Sequence, residues 1–291
     1  MIGLDKTQTP TSEYRGRLAP SPTGYLHLGH ARTFWAAYER AVARGGKLIL
    51  RNEDLDAQRC KPEFVDAMLE DLRWFGFEWH EGPDIGGPFA PYTQSERRQF
   101  YLAAFAKLKA GGFVYPCTCS RKDVQRAVTA PHAADDEPIY PGTCRNRRSE
   151  ISNLKSEIQV NWRFRIPDGE TIRFKDGNLD HQKFVAGRDF GDFVIWRHDQ
   201  IPSYQLAVVA DDSAMQITEV VRGEDLLIST ARQLLLYRAL GLKAPSFYHC
   251  ALMKDRHGAR LAKRDDGLSL RQLRKDGLTP EGIRKCWDFL A

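Results

Sequence analysis

The stretch that most constrains the fold lies near the amino terminus and reads RLAPSPTGYLHLGH, from Arg17 to His30. Residues 14–19 at its start have the pattern of a short buried strand, and apolar residues recur at helical spacing after it until Gly45. We therefore predict a crossing from a strand into a helix. Such a crossing offers free N–H groups and the positive end of the helix dipole to an anion, which suits a nucleotide.

Two histidines, His27 and His30, stand three residues apart and so share one face of the first helical turn. Gly29 between them lets a ligand approach the backbone closely. A His-x-x-His tetrapeptide is common, however, and two ordinary histidines at a helix start would have the same spacing. The pair alone therefore leaves both interpretations open.

The composition, with 42% hydrophobic and 28% charged residues among 291, is typical of a soluble globular enzyme. The formal charge of +5 suits a polyanionic partner without requiring one. No apolar run approaches the ~20 residues of a membrane span, and residues 1–13 lack the apolar core of a secretory signal, so we expect a cytoplasmic protein. In that compartment the six cysteines are better explained as thiols or metal ligands than as disulfides.

A second short strand is predicted from Lys47, and it leads into an acidic cluster of Glu53, Asp54 and Asp56. Strand, helix and strand form a βαβ unit with parallel pairing and a right-handed crossover. Glu53 then lies at the carboxyl end of a strand, beside the Arg17 loop. The cluster suits either a metal ion or a solvated turn, and we expect Asp54 and Asp56 to cap and to form salt bridges.

From Phe113 the chain forms an insertion of low apolar content that contains Cys117, Cys119 and Cys144. Three thiolates in a short, loop-rich insertion predict a structural zinc ion, which supplies folding energy where a core is missing. The fourth ligand is left open among Tyr140, His132, an aspartate and water. Three unconnected core cysteines are the alternative.

Alternation over residues 160–166, a turn at 167–170 and a return over 171–174 predict a β-hairpin, with a further strand at 193–196. By analogy, such an antiparallel patch suits a subdomain that covers the acceptor end of an RNA. A basic run precedes the hairpin and is either a solvated loop or a contact for nucleic acid; its members are Arg145, Arg147, Arg148 and Lys155.

A second strand-to-helix unit follows, in which Tyr204 opens a buried or amphipathic segment and residues 216–221 form a strand. Arg222 stands at the carboxyl end of that strand, and Thr230 is positioned to cap the next helix, which Gly241 ends.

Arg222 is expected to point into the same crevice as Arg17. Two guanidinium groups repel each other unless an anion lies between them, so the pair predicts a dicarboxylate substrate such as glutamate. The alternative is that Arg222 merely pairs with a neighbouring acidic residue, Glu224 or Asp225.

Taken in order, these motifs resemble those of the class I aminoacyl-tRNA synthetases, in the glutamyl and glutaminyl branch. Residues 17–30 resemble the HIGH signature, and Arg260 to Arg264 resemble the KMSKS loop. Two departures are visible in that loop, where arginine replaces the first lysine and Ala262 replaces the serine. The resemblance implies an α/β fold with a Rossmann-like class I synthetase catalytic domain.

The same resemblance implies roles for individual residues. The catalytic residues would be His27, His30 and Lys263, and ATP with Mg²⁺ would be bound by His27, Gly29, His30 and Lys263. L-glutamate would be bound by Arg17, Ala19, Ser21, Glu53, Tyr204 and Arg222, with Glu53 holding the α-amino group. A neutral amide in place of the side-chain carboxylate would leave a buried arginine poorly paired, which disfavours glutamine.

The insertion resembles, more narrowly, the glutamyl-queuosine branch, which uses a Cys-x-Cys pattern followed by Tyr-x3-Cys. That implies one structural zinc ion bound by Cys117, Cys119, Tyr140 and Cys144. Because the chain ends at Ala291, shortly after the KMSKS-like loop, we expect no anticodon-binding domain. The branch then implies a monomeric cytoplasmic enzyme, not attached to a membrane, that places glutamate on the queuosine base in the anticodon of tRNA(Asp).

Two alternatives stay open: a truncated glutamyl-tRNA synthetase that charges a tRNA 3′ end, and a non-catalytic regulator that binds tRNA or glutamate. The expected organisation is the same for each. Its segments are the first half of the catalytic domain at 14–112, the zinc-binding insertion with a small α+β acceptor-type subdomain at 113–196, the second catalytic half with the KMSKS-like loop at 197–265, and a short helical tail at 266–291.

Overall fold

The computed structural model describes residues 13–120, 122–124, 139–146, 160–253, 268–285 and 287. Within these ranges the strands are β1 (Arg15–Leu18), β2 (Lys47–Leu50), β3 (Val114–Cys117), β4 (Asn161–Phe164), β5 (Thr171–Asp176), β6 (Asp180–Val185), β7 (Phe193–Trp196), β8 (Glu219–Gly223) and β9 (Ser246–Cys250). The helices are α1 (Leu28–Ala43), α2 (Pro62–Phe75), α3 (Arg98–Ala110), α4 (Tyr204–Ala214), α5 (Leu227–Leu240), α6 (Leu270–Lys275) and α7 (Pro280–Lys285), with 3₁₀ turns at Gln94–Arg97 and Glu224–Leu226. The KMSKS-like loop with Lys263 lies outside the described residues, as do His132, Arg147, Arg148 and Lys155.

The predicted crossing from a strand into a helix is confirmed. β1 pairs with β2 in parallel, and α1 begins directly after the extended residue His27. After α1 the chain turns back through Gly45 at φ 57°. Gly46 has to be glycine, because a Cβ there would lie 2.5 Å from the Tyr14 carbonyl oxygen. This close approach brings β2 alongside β1.

The second half of the fold runs beside the first. β8 and β9 pair in parallel. Thr218, the residue just before β8, both accepts a hydrogen bond from Arg15 and donates one to it. The Arg15 amide donates to Thr218 Oγ1 at 2.8 Å, and the Thr218 amide donates to the Arg15 carbonyl oxygen at 2.9 Å. Further along, Arg17 Nη1 donates to the Val221 carbonyl oxygen at 3.0 Å. β1 and β8 therefore run in the same direction, and their carboxyl ends meet at one edge.

The hairpin forms between other strands than the sequence predicts. β4 lies between β3 and β7 in an antiparallel sheet, so both of its edges are occupied and it does not pair with β5. β5 instead pairs with β6 and borders β9, in the sheet order β6-β5-β9-β8. The prediction of a hairpin between 160–166 and 171–174 is wrong in its pairing. The strand predicted at 193–196 is confirmed as β7.

Three apolar clusters fill the interior of the described residues. The first packs α3, α4 and α5 together, and the second packs α1 and α2 against β1 and β2. The third is small and consists of Tyr115, Cys117, Val124, Tyr140 and Cys144. Among its described residues, the insertion contributes this one small cluster. No helix in the described part of the chain has both the length and the apolar content of a membrane span.

Candidate active site

The start of α1 presents the two predicted histidines side by side. The ring centroids of His27 and His30 are 3.7 Å apart, and the His27 amide donates to His30 Nδ1 at 3.4 Å. No acidic residue occupies the first turn, so the helix itself does not offset its positive end. At Gly29 a Cβ would lie 3.2 Å from the His27 ring, so a larger residue would displace that histidine. The arrangement suits a phosphate group.

Glu53 lies beside the loop that leads into α1, because its amide donates to the Pro20 carbonyl oxygen at 3.0 Å. Its side chain is buried, and Arg51 donates to Oε1 from Nε at 3.2 Å and from Nη2 at 2.9 Å. Burial raises the pKa of Glu53 in spite of the nearby Arg51 charge. No described residue donates to Oε2, which leaves that oxygen for a cationic group of a ligand.

Arg51 is a site residue that sequence reasoning missed. Its buried guanidinium donates from Nη1 to Asp212 Oδ1 at 2.7 Å, and its Nε lies 3.8 Å from Asp211 Oδ2. Asp212 Oδ1 is also 3.6 Å from Arg17 Nε. Arg51 thus joins the loop that carries Glu53 to the helix α4. In the sequence, Arg51 is recognisable only as a charged residue directly after an apolar strand. A surface turn has the same pattern.

The other two acidic residues of the cluster have structural roles, as predicted. Asp54 accepts from the amide and the hydroxyl of Ser95 at 2.8 and 2.7 Å, which caps the 3₁₀ turn, and Asp56 pairs with Arg59 at 2.6 Å. Among the residues that the structure describes, only the three cysteines of the insertion form a group with the spacing of metal ligands. Asp54 and Asp56 are thus engaged in protein contacts.

Arg222 is buried at the carboxyl end of β8 and is bound by three neutral groups. Its Nε donates to His249 Nε2 at 3.2 Å, its Nη1 to Tyr204 Oη at 3.4 Å and its Nη2 to Thr230 Oγ1 at 2.6 Å. Burial, and then the Arg222 charge, lowers the pKa of His249, so the imidazole is neutral. No carboxylate among the described residues pairs with Arg222. Within the described ranges it is therefore a buried cation without a counter-charge.

Two expectations around Arg222 need correction. Thr230 does not cap α5, whose N-cap residue is Leu226; it lies inside the first turn, where its hydroxyl accepts from Arg222. Glu224, offered as a partner for Arg222, accepts instead from the Leu252 amide at 3.2 Å.

A crevice of about 1030 Å³ lies in front of these residues. Ser21, Glu53 and Tyr204 line it on one side, and Cys119 and Tyr140 of the insertion line it on another. Arg17 and Arg222 are 5% and 4% exposed and do not line the crevice, but Arg222 contacts the lining residue Tyr204 at 3.4 Å. Ala19 also does not line it and is half-buried in the loop after β1. Of the residues predicted to bind glutamate, Ser21, Glu53 and Tyr204 therefore line one crevice, and Arg222 contacts Tyr204.

The cysteine cluster has the spacing of a zinc site. The sulfurs of Cys117, Cys119 and Cys144 lie within 4.8 Å of one another, with Cys119 and Cys144 3.5 Å apart. The Tyr140 hydroxyl lies 3.4 Å from Cys117 Sγ and 3.6 Å from Cys119 Sγ. Around a tetrahedral zinc ion, two sulfurs are about 3.8 Å apart and a sulfur and an oxygen are about 3.5 Å apart. These four groups fit that ion.

Arg163, which sequence reasoning also missed, supports negative charge at this cluster. Its Nε donates to Cys117 Sγ at 3.3 Å, and its guanidinium carbon lies 3.8 Å from the Tyr140 ring centroid. Burial raises the pKa of Cys144, but hydrogen bonds from Tyr140 and Thr118 outweigh burial and lower it to about 7. Cys144 therefore ionises readily, whereas burial raises the pKa of Cys119 to about 11, so a zinc ion would have to displace the proton of that thiol.

Arg145, the one described member of the predicted basic run, is engaged within the insertion. It pairs with Asp192 at 3.0 Å and also with Asp168, and its side chain is 18% exposed. It is therefore not a free contact for nucleic acid.

The family model described as tRNA synthetases class I (E and Q), catalytic domain, matches residues 13–287. The chain belongs to this synthetase family. It is accordingly an enzyme of the ligase class, and the resemblance drawn from its motifs is confirmed.

This class I synthetase is similar to two curated proteins named Glutamyl-Q tRNA(Asp) synthetase. The protein from Symbiobacterium thermophilum is 47% identical over 92% of this chain and 83% of its own length. The protein from Nitratidesulfovibrio vulgaris is 47% identical over 95% of this chain and 86% of its own length.

Among solved structures, the synthetase is similar to a glutamate tRNA ligase from Elizabethkingia meningosepticum in complex with its amino acid. The TM-score is 0.83 at 32% identity, over 96% of this chain. The synthetase spans 61% of the length of that ligase. The mixed α/β fold of the family is thereby confirmed.

Proposed function

We propose that this synthetase activates L-glutamate with ATP and transfers the glutamyl group to the queuosine base in the anticodon of tRNA(Asp). The observation that carries the proposal is the buried Arg222, because a cation that is held only by neutral groups in a low-dielectric site favours an anionic ligand. The two relatives named Glutamyl-Q tRNA(Asp) synthetase support the choice of acceptor.

L-glutamate fits the charges around the crevice. Its side-chain carboxylate would lie between Arg17 and Arg222 with the Tyr204 hydroxyl as a further donor, and its ammonium group would donate to Glu53. Glutamine would bring a neutral amide to the same position and leave Arg222 without a counter-charge. Ala19 and Ser21 complete the proposed glutamate site from the loop between β1 and α1.

Activation needs no general base, since the α-carboxylate of glutamate is already ionised at neutral pH. One of its oxygens attacks the α-phosphorus of ATP, the bond to the bridging oxygen breaks, and pyrophosphate leaves. The protein then has to position the nucleophile and stabilise charge on the phosphates. The residues proposed for this, with Mg²⁺, are His27, Gly29, His30 and Lys263. In the second step an acceptor hydroxyl attacks the glutamyl carbonyl carbon and AMP leaves.

The RNA is proposed to lie against the exposed face of the β5–β6 hairpin. Arg173 is directly opposite Lys183, Lys175 follows two residues after Arg173 on the same face, and all three residues are exposed. Like charges in this register destabilise a sheet. No carboxylate in the described part of the chain pairs with Arg173, Lys175 or Lys183, so a phosphate backbone would supply the missing counter-charge.

One zinc ion is proposed in the insertion, held by the thiolates of Cys117, Cys119 and Cys144 and by the Tyr140 oxygen. Four protein ligands leave no open position, so the ion would have a structural role and would supply folding energy to the third cluster.

Isotope exchange between pyrophosphate and ATP tests the activation step. We expect exchange that depends on L-glutamate and is at least about 100-fold less efficient with L-glutamine. The assay is run with and without tRNA(Asp), so that a requirement for RNA is not mistaken for inactivity. Equal exchange with glutamine would contradict the proposed role of Arg222, and no exchange in either condition would favour the regulator. A truncated glutamyl-tRNA synthetase that charges a tRNA 3′ end would carry out the same activation step and would give the same exchange.

A further inference from the structure

A line of buried polar side chains leads from the β5–β6 turn to Arg222. Its first two members, Asp176 and His249, have no role in the activation and transfer steps proposed for the enzyme. Asp176 Oδ2 lies 2.6 Å from His249 Nδ1, and His249 Nε2 lies 3.2 Å from Arg222 Nε. The side chains of Asp176 and His249 are both fully buried. Burial of a carboxylate and an imidazole costs free energy unless their hydrogen bonds are made. Each polar atom along this line therefore needs a hydrogen-bond partner.

The protons along the line can be assigned from the chemistry of the groups. Burial raises the pKa of Asp176, but hydrogen bonds from His249 and the backbone amides of Leu179 and Asn178 outweigh burial and lower it. The ionised carboxylate is an acceptor only, so His249 Nδ1 carries the proton. Because the ring is neutral, its lone pair is on Nε2, and this nitrogen accepts from Arg222 Nε.

We propose that Asp176 and His249 are positioning residues for the selection of glutamate: Asp176 fixes the tautomer of His249, and His249 fixes the guanidinium of Arg222. The inference rests on the proposed role of Arg222 as the partner of the substrate's side-chain carboxylate. Thr230 holds the same guanidinium at Nη2, so two contacts set the orientation of its plane. A neutral imidazole does this without cancelling the positive charge, which a carboxylate at that position would do.

A purely structural role for His249 is the alternative, because its ring also stacks on Phe247 with the centroids 6.3 Å apart. His249 Nε2 also lies 3.0 Å from Thr230 Oγ1, so Nε2 has two partners and Nδ1 has one. Substitutions that keep the contacts of only one of these two nitrogens separate the two roles. In His249→Gln the amide oxygen can reach the position of Nε2 and accept from Arg222, while the bond to Asp176 is lost. In His249→Asn the shorter side chain can bond to Asp176 and leaves Arg222 Nε without an acceptor.

Asp176→Asn is the second informative variant. Its amide N–H can donate to His249 Nδ1, which favours the tautomer with the proton on Nε2. That tautomer cannot accept from Arg222, so this variant should behave like His249→Asn although His249 itself is unchanged.

The test measures the KM for L-glutamate and the KM for ATP by pyrophosphate exchange, with the free energy of unfolding of each variant measured in urea. We expect His249→Asn and Asp176→Asn to raise the KM for glutamate about tenfold and to reduce the preference for glutamate over glutamine by about the same factor. His249→Gln should stay within about threefold of the unsubstituted chain, and the KM for ATP should stay within about twofold in all variants.

Equal glutamate KM values for His249→Asn and His249→Gln, or parallel rises for both substrates, would overturn the inference. An unsubstituted chain that does not activate glutamate would contradict the proposed function instead, so the two failures are distinguishable. If the variants do not fold, ¹⁵N NMR of the unsubstituted chain decides the point. The inference requires a proton on His249 Nδ1 and none on Nε2, and the opposite tautomer would refute it.

Discussion

The preference for a carboxylate ligand that we propose for Arg222 depends on its being bound by uncharged groups. Tyr204, Thr230 and His249 fix its guanidinium without offsetting its charge. A carboxylate ligand then gains the whole electrostatic interaction, and an amide ligand leaves a buried cation unpaired. Tyr204 differs from the other two because it is 37% exposed, so it can be changed without disturbing the interior.

Tyr204→Phe should raise the KM for L-glutamate about tenfold, because a hydrogen-bond donor to the substrate carboxylate is lost while the ring stays in place. The KM for ATP should not change. Tyr38→Phe, which removes a hydroxyl from α1, is the matched control and should change neither value. Steady-state pyrophosphate exchange measures both constants, and a joint rise for glutamate and ATP would show that Tyr204 is not specific to the glutamate site.

Among the elements, β8 connects the two halves of the catalytic fold through hydrogen bonds. Glu219 at its start accepts from Tyr14 Oη at 2.8 Å and from Arg40 Nε and Nη2, each at 2.7 Å. Burial raises the pKa of Glu219, but these hydrogen bonds outweigh burial and lower it below the usual value for glutamate. One carboxylate thus ties β8 to α1 and to the residue that precedes β1.

Because the pKa of Glu219 is lower in the folded chain than in the unfolded chain, its contribution to stability is complete above the unfolded value of about 4.3 and is lost as the pH falls through the folded value. We expect Glu219→Gln to lower the free energy of unfolding by about 2 kcal/mol at pH 7. The difference from the unsubstituted chain should shrink below about pH 4. Urea unfolding at pH 7 and below about pH 4 measures this difference in the free energy of unfolding. A difference that does not vary with pH would contradict a stabilising role for the ionised Glu219 carboxylate.

The β5–β6 hairpin can be tested by reversing charge. Arg173→Glu combined with Lys183→Glu should weaken binding of tRNA(Asp) at least about tenfold and reduce the salt dependence of log Kd by roughly two. The control double variant, Arg188→Glu with Lys285→Glu, makes the same change in net charge at cations that already pair with nearby carboxylates. Equal weakening in both would mean that net charge alone matters. Binding is measured by fluorescence anisotropy over a range of salt concentrations.

Sequence reasoning succeeded where the information is local. The crossing at residues 17–30 was predictable because its prolines, glycines and helical periodicity act over neighbouring residues. That Arg17 and Arg222 bind one anion stays a prediction. The partners of β4 were not predictable, because they depend on β3 and β7. Arg51 and His249 look ordinary in the sequence, since each acquires its role from a distant carboxylate, Asp212 or Asp176.

The molecule as a whole depends on apolar clusters of very unequal size. Two large clusters hold the catalytic elements, whereas the described residues of the insertion bury only Tyr115 and Val124 beside three of the four proposed zinc ligands. Loss of the metal should therefore affect the insertion far more than the rest of the chain.

Cys144→Ser should reduce bound zinc from about one ion per chain to a small fraction, because a hydroxyl replaces a thiolate ligand. Cys60→Ser, at a cysteine outside the cluster, should keep the full amount. Plasma mass spectrometry of the gel-filtered proteins measures the zinc, and limited proteolysis should detect faster cleavage within the insertion of Cys144→Ser alone. Identical zinc contents would contradict the site.

The transfer reaction itself decides whether this molecule is a glutamyl-queuosine enzyme. Labelled L-glutamate and ATP are incubated with the chain and matched tRNA(Asp), with and without queuosine at the wobble position, and nuclease digestion then locates the label. We predict label on the queuosine nucleoside and none on the tRNA that lacks it. Label on the terminal adenosine of both tRNAs would contradict the proposal and indicate a truncated glutamyl-tRNA synthetase, and label on neither would indicate the regulator.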